Sequence, residues 1–234
     1  MKLRDTIIFK LTHPIYIRII NTICDIRRKP YIKHLQICLK YFGGGNSLSV
    51  SDLSIISSNC FAGRIMQDLK MKYNSPTLGL YFMYPDYIEF LSNIEFYLKE
   101  AKIEFVESSK YPLGNQRREA CSHWYPIGLL DGKVEIHFLH YHTKEEAAEK
   151  WYRRAARVNF DNLLIIGMQQ NLCTEQDIIT FDSLPFKNKI MFSNIPIKLK
   201  SNEYMPEFWN DEYVGDPYRK GHIFYRHLIS HFTT

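Results

Sequence analysis

The sequence predicts an α/β fold in which a mixed, largely parallel sheet carries helices on both faces and is preceded by a basic amphipathic helical arm. From residue 53 onward, short apolar strand patterns alternate with amphipathic helical patterns, which is typical of parallel sheets. Leu78–Phe82 and Leu163–Met168 are continuously apolar, as expected for strands buried on both faces. Asp131 and Gly132 predict a two-residue hairpin turn, so part of the sheet is expected to be antiparallel.

The arm is predicted as one helix from Ile15 to Ile26. Its isoleucines recur at helical spacing, at positions 15, 19, 20, 23 and 26. Pro14 suits the first turn of a helix, the basic run Arg27–Lys29 favours its C-terminal end, and Pro30 is expected to stop it.

The basic charge is concentrated in this N-terminal segment. Residues 1–47 hold nine lysines and arginines against two aspartates, whereas the whole chain carries only +5, so the remainder is slightly acidic. This distribution argues against nucleic acid as a partner. The arm is expected either to lie on an anionic inner leaflet or to dock on its own domain or a partner subunit. The glycine-rich stretch at 41–52 predicts a linker, which gives an arm and linker at 1–47 and a single α/β domain at 48–234.

The other elements follow in order from apolar periodicity and capping residues. Thr143 with Glu146, and Thr174 with Asp177, each place a hydroxyl and a carboxylate where they close the first turn of a helix. The polar stretch 108–123 lacks periodicity and is predicted to be an irregular surface excursion. The predicted strands are Leu53–Ser57, Thr77–Phe82, Ile103–Glu107, the two arms of the hairpin, Asp161–Met168 and Asn188–Ser193; the predicted helices are Phe61–Lys72, one from Pro85 to about Leu98, 143–158, one from Thr174 to about Leu184, and one within 218–232.

Composition predicts a cytoplasmic protein with one sizeable core. Apolar content of 45% and charged content of 24% are ordinary for a folded chain of 234 residues. The aromatic share of 15% is high, which is typical either of sugar or base sites or of a large packed core. Five cysteines form no CxxC pair, and no signal peptide or membrane-spanning run is present, so we expect free thiols in a reducing compartment.

Ligands of parallel α/β sheets bind outside the carboxyl ends of the strands. That rule selects the segments Ser57–Gly63, Phe82–Asp86, His140–Thr143 and Met168–Thr174. No dinucleotide fingerprint and no phosphate-binding Walker loop occurs in the chain, so no cofactor is expected.

Cys60 follows a strand and precedes a helix. A thiol there can titrate low and act as a nucleophile. The same turn can instead bind an anion through free amides, with Ser58, Asn59 and Gly63 as ligand contacts. A third interpretation is structural, because Gly63 also lets the helix pack closely on the sheet.

Three histidines lie along one strand and its exit. His140 and His142 share a side in an extended chain, and His137 faces the other way. One strand thus supplies at most a pair of ligands, so no metal site is expected. We expect His140 or His137 to act as a general base or to donate a hydrogen bond to a phosphate, with His142 nearby, although a structural role is equally open.

Gln169, Gln170 and Asn171 follow a buried strand and offer the neutral hydrogen bonds that sugars need. Arg153, Arg154 and Arg157 form a basic edge on the helix predicted at 143–158. Arg153 and Arg157 lie one turn apart and could clamp a carboxylate or a diphosphate. They are expected at the end of the helix remote from the predicted site edge, so we interpret these arginines as structural.

Three long segments carry a family resemblance. The stretches beginning ISSNCFAGRIMQDL at residue 56, YPIGLLDGKVEIHFLHYH at 125 and NLCTEQDIITFDSLPF at 171 resemble the bacterial domain-of-unknown-function family nineteen-nineteen. The resemblance covers about 52–195, extends loosely to YVGD at 213–216, and leaves the N-terminal arm outside. Members of that family are generally labelled exopolysaccharide or capsule biosynthesis proteins. A shorter likeness to papain-like cysteine peptidases would make Cys60 the nucleophile with His137 or His140 as its partner.

The resemblance and the residues together predict a bacterial surface-polysaccharide biosynthesis protein, and the leading hypothesis is a sugar transferase with a nucleotide- or carrier-linked donor. No DxD motif occurs, so such a transferase is expected to work without a metal. Its partners would be a sugar donor or polysaccharide precursor and the inner leaflet. Two alternatives stay open: a cysteine-dependent acyltransferase or hydrolase that uses Cys60, and a non-catalytic accessory of the assembly machinery.

Overall fold

The computed structural model describes residues 7–41 and 52–233 and contains two sheets. The strands are β1 (Ser54–Ser57), β2 (Ile103–Val106), β3 (Ile127–Leu130), β4 (Val134–His137), β5 (Leu163–Met168), β6 (Lys189–Ser193) and β7 (Asn202–Tyr204). The helices are α1 (Ile7–Tyr41), α2 (Phe61–Asp68), α3 (Tyr84–Ser92), α4 (Ile94–Lys99), α5 (Pro112–Ala120), α6 (Lys144–Ala155), α7 (Glu175–Ser183) and α8 (Gly221–Thr233).

The main sheet is parallel, in the order β1-β5-β6-β7. Alternate side chains of its strands enter two separate cores, as the two-residue repeat of a strand requires. Ile165 and Met191 pack with α3 and α7 on one face, whereas Ile166 and Phe192 pack with α2 and α8 on the other. The predicted mixed α/β fold, largely parallel and with helices on both faces, is confirmed.

The antiparallel part forms a sheet of its own, in the order β2-β3-β4. Its hairpin turns at Asp131 and Gly132, which both adopt the left-handed conformation, with φ of 50° and 67°. The strand predicted at 77–82 was wrong: only Tyr81 makes a bridge, to His137, because Gly79 has φ of +73° and breaks the extended chain.

Two helices begin at the residues that their predicted caps indicated. Thr143 accepts the Glu146 amide at 3.0 Å, and Thr174 and Asp177 form a complete capping box. The prediction that 108–123 is irregular was wrong, since this segment contains α5. Pro112 lies at the start of α5, where a missing N–H is tolerated.

The arm helix was predicted to stop at Pro30, and that was wrong, because α1 continues to Tyr41. It is held against the body where Arg28, only 2% exposed, donates to both carboxylate oxygens of Asp68, at 2.6 and 3.3 Å. Leu35 is fully buried in the core beside α2 and α8. These contacts keep α1 helical across Pro30, because they offset the single backbone hydrogen bond that the proline removes. The predicted linker lies almost wholly outside the described residues.

The opposite side of α1 faces solvent. Tyr16, Ile19, Ile23 and Ile26 are all exposed there. None of the helices in the described ranges combines the length and apolarity that crossing a bilayer requires.

Candidate functional site

The site forms where the chain leaves β1 and β5. These strands are neighbours, with Ser57 opposite Ile166, so the loops that follow them meet at one edge of the sheet. Asn59 Nδ2 donates to Gln170 Oε1 at 3.0 Å, which joins the two loops. Asn171 Nδ2 donates to the Phe82 carbonyl at 3.0 Å and adds the segment before α3.

A cavity of about 280 Å³ opens at this edge. We call it the tyrosine cavity. Its wall is made of three tyrosine rings and three carboxamides, from Tyr81, Tyr125, Tyr218, Asn59, Gln170 and Asn171. It adjoins an outer groove of about 480 Å³, and both also contact Arg117 and Asp216.

The aromatic wall is held in place by its own hydrogen bonds. The hydroxyls of Tyr81 and Tyr125 lie 3.0 Å apart, and burial raises the pKa of both. Tyr218 donates to the Cys60 carbonyl at 3.1 Å, and burial also raises its pKa. All three rings are therefore neutral hydrogen-bonding groups at physiological pH.

Arg117 is the cation of the tyrosine cavity. It comes from α5, lies 5.6 Å from the centroid of the Tyr81 ring and donates to Asn171 Oδ1. Asn171 has φ of 54°, a left-handed conformation that asparagine tolerates better than most residues. Its carbonyl accepts the Tyr84 amide at 2.8 Å, so Asn171 is fixed from several directions.

Asp216 is the anion of the cavity. Its carboxylate is about half exposed, with 52% of the side chain accessible, and accepts the Tyr218 amide at 2.8 Å. Arg219 is its ion-pair partner at 3.9 Å, a loose contact that leaves the carboxylate open to a ligand. A cation and an anion, Arg117 and Asp216, thus share one aromatic cavity.

The family is identified by two comparisons. Residues 32–234 match the family described as a domain of unknown function, DUF1919. The chain belongs to this family. An uncharacterized protein of Haemophilus influenzae is 39% identical over 170 residues, which cover 72% of this chain and 75% of that protein. The family match begins inside α1, so the arm does not lie wholly outside it as the resemblance implied.

Of the residues predicted from sequence, Asn59, Cys60, Gln170 and Asn171 line the tyrosine cavity. Cys60, however, is buried, and its thiol donates to the Leu80 carbonyl at 3.4 Å. Burial raises its pKa to about 12, so the expectation of a low-titrating thiol was wrong in direction. The desolvation of the thiolate outweighs the helix dipole.

The amides at the start of α2 were expected to face a ligand, and that was wrong. Asn59 Oδ1 accepts the Phe61 amide, Ser57 Oγ accepts the Ala62 amide, and the Cys60 carbonyl accepts the Gly63 amide. Donors that are already paired within the turn cannot cradle a phosphate.

The histidines are separated from one another. His137 is fully buried, stacked 4.4 Å beneath the Tyr81 ring and hydrogen-bonded to Glu135 at 2.7 Å. His142 is exposed before α6, with its ring 6.3 Å from that of His123. His140 lies with Gly63 in a second cavity, which also contacts Tyr218. Within the described ranges, no cluster of three or more potential metal ligands occurs.

Two other predicted contacts have structural partners. Gln169 is buried, donates to the Glu212 carbonyl and accepts the Asn194 amide. Ser58 is buried, and its backbone pairs with Ile166 and Phe82. Both support the edge of the sheet without lining the cavity.

Sequence reasoning missed the aromatic wall and both charged groups of the tyrosine cavity. Arg117 lies in the stretch predicted to be irregular, so its direction could not be inferred. Asp216 was within reach, because it ends the YVGD segment that belongs to the family resemblance.

Proposed function

We propose that this protein is a sugar transferase of bacterial surface-polysaccharide biosynthesis and that the tyrosine cavity holds the transferred sugar. The observation that carries the proposal is the joint presence of Tyr81, Tyr125 and Tyr218 with three carboxamides around one cavity. A sugar has apolar C–H faces that pack on aromatic rings and hydroxyls that need fixed neutral donors and acceptors. A cavity of this size suits one hexose.

The two charged groups fit a transfer reaction. In the proposed step, an acceptor hydroxyl attacks the anomeric carbon of the donor sugar and forms the new C–O bond. The bond from that carbon to the phosphate oxygen breaks, and the leaving group departs with the electron pair. Asp216 takes the hydroxyl proton, and Arg117 donates hydrogen bonds to the hydroxyls of the bound sugar. Cys60 and His137 have no part in this step, because one is protonated and the other is sealed beneath Tyr81.

Asp216→Asn tests this chemistry. We expect binding of the donor to change by less than about threefold, whereas transfer falls at least about a hundredfold, because the amide cannot accept the proton. Binding is measured by calorimetry against a panel of nucleotide-sugars and transfer by release of the nucleotide. Asp211→Asn, in the outer groove, is the matched control and is expected to retain both.

The outcomes separate the hypotheses. A wild-type protein that binds neither the nucleotide-sugars of the panel nor a sugar linked to a prenyl diphosphate contradicts the sugar-transferase proposal. Binding without any turnover leaves the alternative of a non-catalytic accessory. Full activity in Asp216→Asn removes Asp216 as the base.

We also propose that α1 brings this protein to the cytoplasmic face of the inner membrane. Its exposed Tyr16, Ile19, Ile23 and Ile26 form an apolar side, flanked by exposed Arg18, Arg27 and Lys29. Such a helix binds anionic lipid by burying its apolar side and pairing its bases with headgroups.

Co-sedimentation with vesicles measures this contact. We expect binding to vesicles that contain phosphatidylglycerol, little binding to phosphatidylcholine alone, and a loss of at least about tenfold in Ile19→Asp/Ile23→Asp. Ile179→Asp/Tyr204→Asp, which adds the same two charges at exposed apolar side chains outside α1, is the control. Equal sedimentation of both variants with anionic vesicles contradicts the proposal.

A further inference from the structure

A second cavity, of about 240 Å³, adjoins the tyrosine cavity. The two share the side chain of Tyr218, which lines both. We call the second one the basic cavity, because among the described residues every ionisable side chain that lines it is a tyrosine or one of three bases, His140, Lys150 and Arg154. Arg154 was interpreted as structural from the sequence, and its position in this wall corrects that interpretation.

The two strong bases come from one face of α6. Lys150 and Arg154 are four residues apart, so they lie one above the other on the helix. Lys150 Nζ pairs with Glu146 at 2.5 Å and lies 5.6 Å from the centroid of the Tyr141 ring. Glu146 does not line the cavity, but its carboxylate offsets part of the Lys150 charge, so Arg154 supplies most of the positive charge that faces the cavity.

Arg154 is oriented before any ligand arrives. Its Nη1 donates to the Tyr141 hydroxyl at 2.6 Å, and that hydroxyl donates to the Leu78 carbonyl at 2.5 Å. The guanidinium has five N–H donors, and this bond uses one. A planar fork held in this way suits the paired oxygens of a phosphate.

The backbone leaves room beside these cations. Gly79 also lines the cavity and has φ of +73°. A Cβ at Gly79 would lie 3.3 Å from both His140 and Tyr141. Only glycine combines this conformation with so close an approach.

We propose that the basic cavity binds the diphosphate of an activated sugar whose ring occupies the tyrosine cavity. This inference rests on the proposed function, and it assigns the anion to α6 in place of the start of α2, whose amides are already paired. Tyr218 would lie beside the bond that joins sugar and phosphate. The diphosphate can belong to a nucleotide or to a prenyl lipid, because the cations recognise only the phosphate oxygens.

Calorimetry with inorganic pyrophosphate tests the inference. We expect Lys150→Gln/Arg154→Gln to weaken pyrophosphate binding at least about tenfold, since two charge-assisted contacts are lost. The matched control is Lys144→Gln/Arg153→Gln, which removes the same charge from the same helix but from ion pairs with Glu107 and Glu149. The control is expected to stay within about threefold of wild type, since its bases act only through long-range attraction.

Arg154→Lys keeps the inference testable if the double variant folds poorly. It retains the charge and loses the fork, so we expect an intermediate loss of pyrophosphate affinity and a melting temperature close to that of wild type. Wild-type protein that does not bind millimolar pyrophosphate, or a double variant that binds as well as its control, overturns the inference.

Two further ligands separate the sources of the diphosphate and isolate the inference from the proposed function. Tighter binding of uridine diphosphate than of farnesyl diphosphate supports a nucleotide donor, and the reverse order supports a lipid carrier. Pyrophosphate binding that depends on Lys150 and Arg154, in a protein that binds neither a nucleotide-sugar nor a sugar linked to a prenyl diphosphate, would keep the anion site and refute the transferase. Nucleotide-sugar binding that is unchanged in the double variant would do the opposite.

Discussion

The tyrosine cavity and the basic cavity lie on either side of one shared residue, Tyr218, yet they are built by different means. Rings and carboxamides from five separate segments make the first, and hydrogen bonds between some of them fix its shape. Cations from a single helix dominate the second. Neutral contacts of the first kind depend little on salt, whereas attraction between exposed charges is screened by it. Neighbouring cavities can therefore select different parts of one ligand by different physics.

The largest effect is expected where the two cavities meet. Tyr218→Ala removes a wall from both, so we expect the affinities for a nucleotide-sugar and for pyrophosphate each to fall at least about tenfold. Tyr218→Phe keeps the ring and loses only the hydrogen bond to the Cys60 carbonyl, so it should remain within about threefold. Calorimetry measures both. A loss at only one cavity would show that Tyr218 does not join them.

Arg117→Ala should affect the tyrosine cavity alone. We expect the affinity for a nucleotide-sugar to fall about five- to tenfold, because a charged donor is lost and Asn171 loses a partner, while pyrophosphate binding stays unchanged. Gln116→Ala is the neighbouring control, since Gln116 is an exposed residue of α5 that does not line the cavity. Equal losses in both variants would point to damage of α5 instead.

Lowering the pH should strengthen the binding of anions in the basic cavity. Partial burial, together with the nearby His123, lowers the pKa of His140, so this side chain gains its charge only at a pH below the ordinary range of a histidine. We expect sulfate, which keeps its charge over this range, to bind a few-fold more tightly at pH 5 than at pH 7.5. His140→Gln should reduce this pH dependence. An unchanged dependence in that variant would assign it to His123 or to another group.

The smallest effect is expected at Cys60. With a pKa raised to about 12, its thiol is almost fully protonated at neutral pH, so Cys60→Ser should change ligand binding and transfer less than about twofold. Mass spectrometry after brief iodoacetamide treatment should find Cys60 labelled more slowly than the half-exposed Cys121. Fast labelling of Cys60, or an inactive serine variant, would support the alternative of a cysteine-dependent acyltransferase or hydrolase.

Local rules predicted those parts of the fold that depend on neighbours in sequence. The caps at Thr143 and Thr174 and the turn at Asp131 are each set within four residues, and each formed as expected. Pro30 was expected to end α1 by the same kind of rule. Docking of Arg28 on Asp68 overrode it, and that contact joins residues 40 positions apart.

The site divides in the same way. The rule for parallel sheets placed the loops after β1 and β5 together, which brought Asn59, Gln170 and Asn171 to one cavity. This rule could not place Arg117, because α5 does not follow a strand of the parallel sheet. It also did not place Arg154, because the end of its helix was expected to be remote from the site. The direction of the Cys60 pKa was also out of reach, since desolvation depends on how much chain covers the thiol.

The sequence by itself determined the α/β class, the hairpin, the capped helices and the neighbouring strand ends, because each follows from apolar period or from backbone bonds between close residues. Only the tertiary structure decided which side chains face a common space. It put Tyr218 between two cavities, turned the bases of α6 toward one of them and buried Cys60 in the wall of the other. The physical reason is that charge, burial and distance at a site are set by segments far apart in the chain, and a pattern of neighbouring residues carries no record of them.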